Sequence, residues 1–440
     1  MSQPPDTVGG MAFCCDSCGR ESRKWMGFCA DCGSKEPLTE RATKTRARPA
    51  QIATLEAILT DDPSRQPIGM GEFDRVLGGG LVSGSVVLVG GEPGVGKSTL
   101  LLQAAACRVQ EGGSALIVTA EESARQVGMR ARRLGVDQLA GERLHLIADP
   151  DVERVIAAAS QLQPDLVVID SIQTVSSPGV DGAPGGVTQV RESGARLLRF
   201  AKESGIAVVM VGHVTKDGGL AGPKLLEHMV DVVLSLEGDP DHGLRVLRAQ
   251  KNRFGATHVA GMFEMGNEGI TEILDPSKSF LADWRGDVPG TVVFPAVEGR
   301  RSITVEVQAL VVANKSTPPR RSVRGLQSNR VHQLLAALQR HAVLDLAPLD
   351  IYVNVVGGWQ IAEPACDLPV ALAIVSSLYN VPLGATAAWG EVGLGGEVRS
   401  VSFHARREEE ARRIGVERVV ASPPDQRFDL RSALLAVKLW

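Results

Sequence analysis

Aromatic side chains are scarce: Phe, Trp and Tyr make up 4% of the 440 residues, too few for extended platforms that hold nucleic acid by base stacking. No apolar run approaches the roughly 20 residues that span a bilayer, and the opening MSQPPDTVGG has neither the basic stretch nor the apolar core of a secretion signal. A cytoplasmic protein with no membrane contact is expected. An excess of charge of one sign is also missing, since 47 Lys and Arg face 51 Asp and Glu for a net charge of -4. Nucleic acid is therefore not drawn to the surface as a whole, and any such binding must be local. Of only seven cysteines, Cys107 and Cys366 stand alone while Cys14, Cys15, Cys18, Cys29 and Cys32 crowd one stretch, a distribution that argues for metal rather than disulfides. What is abundant is glycine, at 48 residues, which leaves room for loops lined by backbone. A 44% hydrophobic, 22% charged chain of this length is globular and suggests about three domains.

Four segments can be read along the chain. Residues 1–40 hold the cysteine cluster, too short and polar to have an apolar core of its own, and 41–66 read as a flexible linker whose first part, with Arg41, Lys44, Arg46 and Arg48, is basic. Across 67–283, short runs such as SVVLVGG, SALIVTA, LVVID and IAVVMVG alternate with helix-length segments. Continuous Val, Ile and Leu are expected of strands buried on both faces of a parallel sheet, so the fold class is α/β with βαβ connections; LRVLRAQKNRFG and GMFEM read as strands added at its edge. From 284 to 440 a second α/β domain is expected, with RVHQLLAALQRHAVL and DLPVALAIVSSLY as helices, IYVNVVGG as a strand and GEVGLGGEVRSV as a hairpin. Within it KSTPPRRSVRGLQSNR is basic and carries a Pro pair that forbids regular structure.

Gly91-Glu92-Pro93-Gly94-Val95-Gly96-Lys97-Ser98, followed by Thr99, fits the phosphate-loop pattern G-x-x-x-x-G-K-[ST], and it lies between a predicted strand and a predicted helix, as the chemistry requires. The glycines let amide N–H groups converge on the phosphates of ATP, Lys97 neutralises the β and γ oxygens, and Ser98 ligates Mg²⁺. Asp170 ends the strand LVVID and is the expected second Mg²⁺ ligand. Hydrolysis also needs a group to orient water. Glu121, at the end of the strand ALIVT, is the candidate base, with Glu122 the alternative. His213, after IAVVMVG, is a candidate sensor of the γ-phosphate or a neutral hydrogen-bonding residue.

Cys15-x-x-Cys18 and Cys29-x-x-Cys32 offer four thiolates on two tight turns, as tetrahedral Zn²⁺ requires, with Cys14 left over.

Together the cysteine knuckle, GGEPGVGKSTLLLQ, TAEES, VIDSIQT, VGHVTKDGGLAGPKLLEH and above all Lys251-Asn252-Arg253-Phe254-Gly255 closely resemble the bacterial RadA (Sms) DNA-repair family. The resemblance implies a zinc finger, a RecA-like ATPase core and a C-terminal domain similar to the proteolytic domain of Lon. It further implies hexameric rings that drive branch migration on single-stranded or branched DNA, acting beside a RecA-type recombinase. KNRFG closes a predicted strand far beyond the phosphate loop. In ring ATPases such a basic pair commonly reaches a neighbour's γ-phosphate, so Lys251 and Arg253 are candidates to act in trans, an effect worth about 10³ to 10⁵ in rate.

SSPGVDGAPGGVTQ and residues 215–224 resemble the two DNA-binding loops of the RecA core, with Lys216 and Lys224 as phosphate contacts that read no bases. In the Lon-like domain the nucleophile position falls on Ala365 and the lysine position near Ala405, so proteolysis is not expected and the domain reads as a scaffold for assembly. Arg320, Arg321 and Arg324 are a candidate duplex-DNA patch, with a solvated linker as the alternative. Two rival functions are an ATP-driven protease and a zinc-ribbon ATPase switch that does not touch DNA.

Overall fold

The computed structural model describes residues 11–22, 25–36, 38–42, 65–213, 225–238, 243–257, 259–299, 301–314, 318–423 and 427–439. Two compact units divide the chain, Met1–Asp62 and Pro63–Trp440. In the first, the strand Met11–Cys14 pairs antiparallel with Glu21–Ser22 on one side and Thr39–Ala42 on the other. Among the described residues its apolar cluster is Cys15, Cys29 and Leu38, with Phe13 and Met26 packed against it, too little apolar area to fold unaided. The strand Thr39–Ala42 extends this module across the point where the linker was expected to begin.

In the second unit a nine-stranded sheet runs in the order Gly269–Glu272, Ala260–Gly266, Leu244–Asn252, Val232–Gly238, Val86–Gly91, Ala207–His213, Leu166–Asp170, Ala115–Thr119 and Leu144–Ala148. The six from Val232–Gly238 to Leu144–Ala148 are parallel; the first three are added antiparallel. The strand Val86–Gly91 is buried throughout because successive side chains enter different cores. Val87 and Val89 pack beneath the helix Lys97–Gln110, while Val86 and Leu88 meet Val190 and Leu197 of the helix Val187–Ser204. Parallel strands deliver their carboxyl ends to one edge, where α/β proteins build their sites.

A second, six-stranded sheet follows, in the order Arg321–Arg324, Leu349–Val355, Arg301–Ala313, Thr291–Glu298, Thr386–Trp389 and Arg418–Ala421. The largely buried helix Asp367–Tyr379 packs on it. The segment expected to lack regular structure supplies its edge strand: past Pro318-Pro319 the sequence Arg-Ser-Val-Arg alternates, and half-buried Val323 turns toward the core while Ser322 and Arg324 face water. Leu244, Val246, Ala260 and Met262 of the first sheet share the core of the second, which is why the two sheets form one unit. Glu72, fully buried in the helix Gly71–Leu77, fastens this seam by accepting hydrogen bonds from Arg301 Nη1 at 2.8 and 3.0 Å and from Met262 N at 3.0 Å. Removing one partner of such a buried pair costs about 3–5 kcal/mol.

Candidate nucleotide site and metal cluster

Val86–Gly91 ends in the loop Glu92–Gly96 and re-enters the helix Lys97–Gln110 with no side-chain cap, so the first amides of that helix point to the loop. Gly96, at φ 112°, takes a left-handed conformation that favours glycine, and Met265 Cε closes against it, 2.4 Å from where a Cβ would stand. Lys97 is buried, and its Nζ bonds Gly91 O at 2.7 Å and Glu92 O at 2.9 Å. Burial lowers its pKa, while Asp170 and Glu121 pull it back up. Burial raises the pKa of the Asp170 carboxylate, and the Ser98 hydroxyl near it acts the other way. The two expected Mg²⁺ ligands, one at the start of the helix and one at the end of the strand Leu166–Asp170, thus stand at the same edge of the sheet.

Glu121 and Glu122 part company. Glu122 is tied to Arg130 and, through its amide, to Thr119 Oγ1 at 3.2 Å, as part of the entry to the helix Ala124–Arg133. Glu121 turns instead to the phosphate-loop side: its Oε1 accepts a hydrogen bond from Ser171 Oγ at 2.8 Å, and its charge is felt by Lys97 and Asp170. Ser171, 1% exposed, has no role assigned from the sequence, where its signal is its place directly after Asp170. The backbone of His213 pairs with Gly91 at the same edge, while its side chain, like Lys216 and Lys224, lies outside the described residues. The first expected DNA loop leaves this edge as well and is anchored. Gln189, buried, accepts from Ser177 N at 2.8 Å and donates to Val180 O at 2.6 Å, and Ser177 and Ser193 share a hydroxyl bond of 3.1 Å.

KNRFG stands at the opposite edge. Val233 pairs with both Leu88 and Lys251, and Arg253 N bonds Asp231 O, whose residue in turn bonds Val86 O. Arg253 is thus level with Val86, five residues or about 16 Å of strand from Gly91. The Lys251 ammonium is held by Glu227 O at 2.7 Å, Val230 O at 2.8 Å and His228 O at 3.2 Å, where the helix Leu225–Met229 ends. Arg253 shares buried Asp231 with Lys202 and keeps a side chain 53% exposed.

In the C-terminal sheet, Arg321 is also committed: its guanidinium donates to Leu346 O at 2.8 Å and to Leu349 O, bracing the loop before the neighbouring strand. Arg321 is half-buried, whereas Arg320 and Arg324 are exposed. Ala365 and Cys366 are buried, and burial pushes the pKa of the Cys366 thiol well up, the opposite of what activates a cysteine nucleophile.

In the N-terminal unit, the Sγ atoms of Cys15, Cys18, Cys29 and Cys32 all lie within 4.8 Å of one another, with Cys15 and Cys32 3.7 Å apart and Cys18 and Cys29 3.6 Å apart. Zinc–sulfur bonds of about 2.3 Å in a tetrahedron separate the sulfurs by about 3.8 Å, so the cluster has the size the ion requires. Cys14 points elsewhere, toward Gly19 O at 3.5 Å.

A family profile described as an AAA domain matches residues 70–219. The DNA repair protein RadA of Pseudomonas aeruginosa is 47% identical over 417 residues, covering 92% of this chain and 91% of that protein. DNA repair protein RadA of Bacillus subtilis is 44% identical over 424 residues, 93% of this chain and 91% of its own. That of Escherichia coli is 44% identical over 427 residues, 93% and 92%. Among the described residues no helix is long and apolar enough to cross a membrane.

Proposed function

Because the chain belongs to the RadA family of DNA-repair proteins, we propose that it is a cytoplasmic, DNA-dependent ATPase of recombinational repair, assembled as a hexameric ring that translocates on DNA and promotes branch migration beside a RecA-type recombinase. The observation that carries this reading is the separation of its two basic centres. Lys97, Ser98, Asp170 and Glu121 converge at one edge of the sheet, while half-exposed Arg253 stands at the other, out of reach of its own subunit's phosphates.

In this reading the loop Gly91–Gly96, with Lys97, Ser98 and Thr99, holds the triphosphate. Ser98 and Asp170 would hold Mg²⁺, which would supply positive charge beside the triphosphate. Glu121, fixed by the Ser171 hydroxyl, takes a proton from the attacking water. His213 senses the γ-phosphate. Arg253 reaches a neighbour's γ-phosphate, whereas Lys251, spent on three carbonyls, fixes the strand end from which Arg253 projects. Such a finger is worth about 10³ to 10⁵ in rate, so hydrolysis depends on assembly.

DNA meets Lys216, Lys224 and the anchored loop that follows Ser177, and duplex arms meet Arg320 and Arg324. These are phosphate contacts, so binding weakens steeply with salt. Zn²⁺ on the four-cysteine cluster folds the N-terminal module, and the Lon-like domain, 284–440, is a scaffold without proteolytic activity. The test is ATP hydrolysis by the purified full chain with and without single-stranded oligonucleotide. Stimulation that disappears in Lys97→Ala is expected. A rate indifferent to DNA would favour the zinc-ribbon ATPase switch instead.

A further inference from the structure

A phosphate loop works by turning amide N–H groups inward, and every carbonyl that the same twist turns into buried surroundings needs a donor of its own. Val95, 8% exposed, carries such a carbonyl. Its donor is Arg245, whose Nε lies 2.8 Å from Val95 O while Nη1 bonds Leu244 O at 2.8 Å. Arg245 is 7% exposed in the antiparallel strand Leu244–Asn252, two strands removed from Val86–Gly91. The path of its side chain is cleared by a glycine. Gly238 pairs with it across the ladder, and a Cβ on Gly238 would stand 2.3 Å from Arg245 Cδ and 2.8 Å from Nε. Met265 and Ile270, from the next strands of the same extension, close against Gly96. The loop is therefore backed by a wall that lies far from it in sequence.

We propose that Arg245 is a positioning residue of the nucleotide site: its guanidinium holds the Val95 carbonyl outward, so that the amides around it stay converged on the phosphates. The inference rests on the reading of Gly91–Ser98 as a phosphate loop. Arg245 touches no reacting atom. Its loss disorders the cradle for ATP and ADP alike and leaves the water, Glu121 and Mg²⁺ ligands in place. The bond is charge-assisted and buried, which makes it strong and costly to lose.

The experiment measures binding of a fluorescent ATP analogue and steady-state hydrolysis for the full chain, wild type against Arg245→Ala, Arg245→Lys and Gly238→Ala, with Lys97→Ala as reference. Folded material is selected by gel filtration. Arg245→Ala is expected to raise both Kd and KM about tenfold with kcat changed less than twofold. Gly238→Ala, which keeps the arginine but obstructs its path, reproduces that pattern, and it carries the test if Arg245→Ala does not fold. Arg245→Lys keeps the charge without the Nε donor and recovers part of the affinity. A purely structural role would lower the melting temperature and leave the affinity of folded molecules unmoved. Wild-type Kd in both Arg245→Ala and Gly238→Ala, or a fall confined to kcat, overturns the proposal. Undiminished binding by Lys97→Ala would instead overturn the phosphate-loop reading on which it stands.

Discussion

Ser171 and Glu121 meet 50 residues apart in sequence, and their 2.8 Å bond holds one of two adjacent acids away from the Arg130 that binds the other. Without it, Glu121 has the same length and charge as Glu122, which is bound to Arg130. Ser171→Ala is therefore expected to lower kcat about tenfold with little change in KM for ATP, because the hydroxyl orients the base and does not hold the phosphates. Steady-state kinetics with saturating DNA measure the split, and a change confined to KM would remove Ser171 from the catalytic step. Lys251 and Arg253 divide in a similar manner. Neighbouring cations in one motif have different surroundings: one ammonium finds three carbonyls in reach, and the half-exposed guanidinium a carboxylate that it shares with Lys202.

At the scale of elements, the cysteine module and the phosphate loop depend on opposite resources. The loop draws on a large buried sheet, while the described residues of the module bury a cluster of Cys15, Cys29 and Leu38. Structural zinc contributes about 10–16 kcal/mol to such pieces. The protein is expected to carry one equivalent of zinc per chain, and chelation should render five thiols reactive to a chromogenic reagent, the four ligands and buried Cys14, while the thermal transition of residues 63–440 stays in place. Both elements were legible in the sequence because each motif is local: a CxxC turn or a GKS loop writes its geometry into adjacent positions. The parallel strands were legible too, since strands buried on both faces must be apolar throughout. The edge strand Arg321–Arg324 was obscured by the Pro pair and by its arginines. One of those, Arg321, spends its charge on carbonyls that no local pattern announces. Arg245 and Glu72 were obscured for the same reason. Their partners, Val95 and Arg301, are 150 and 229 residues away, and the trace each leaves is a charged residue set among buried apolar neighbours.

For the whole molecule, the geometry separates binding from completion of the reaction centre. One edge of the sheet gathers the loop, Ser98, Asp170 and Glu121, and the far edge offers Arg253 about 16 Å lower. The seam fastened by Glu72 and Arg301 holds both edges to the C-terminal sheet, so a ring built through that sheet would set the spacing between one subunit's phosphates and the next subunit's arginine. Closed rings use heterologous contacts, in which each copy presents one face and receives the other. The central claim is therefore complementation. Lys97→Ala and Arg253→Ala are each expected to be nearly inactive, yet mixed in equal amounts they should recover DNA-stimulated ATP hydrolysis, since about a quarter of the interfaces then join an intact loop to an intact arginine. A mixture that stays as inactive as its components, with mixed oligomers demonstrated by mass, would contradict the account.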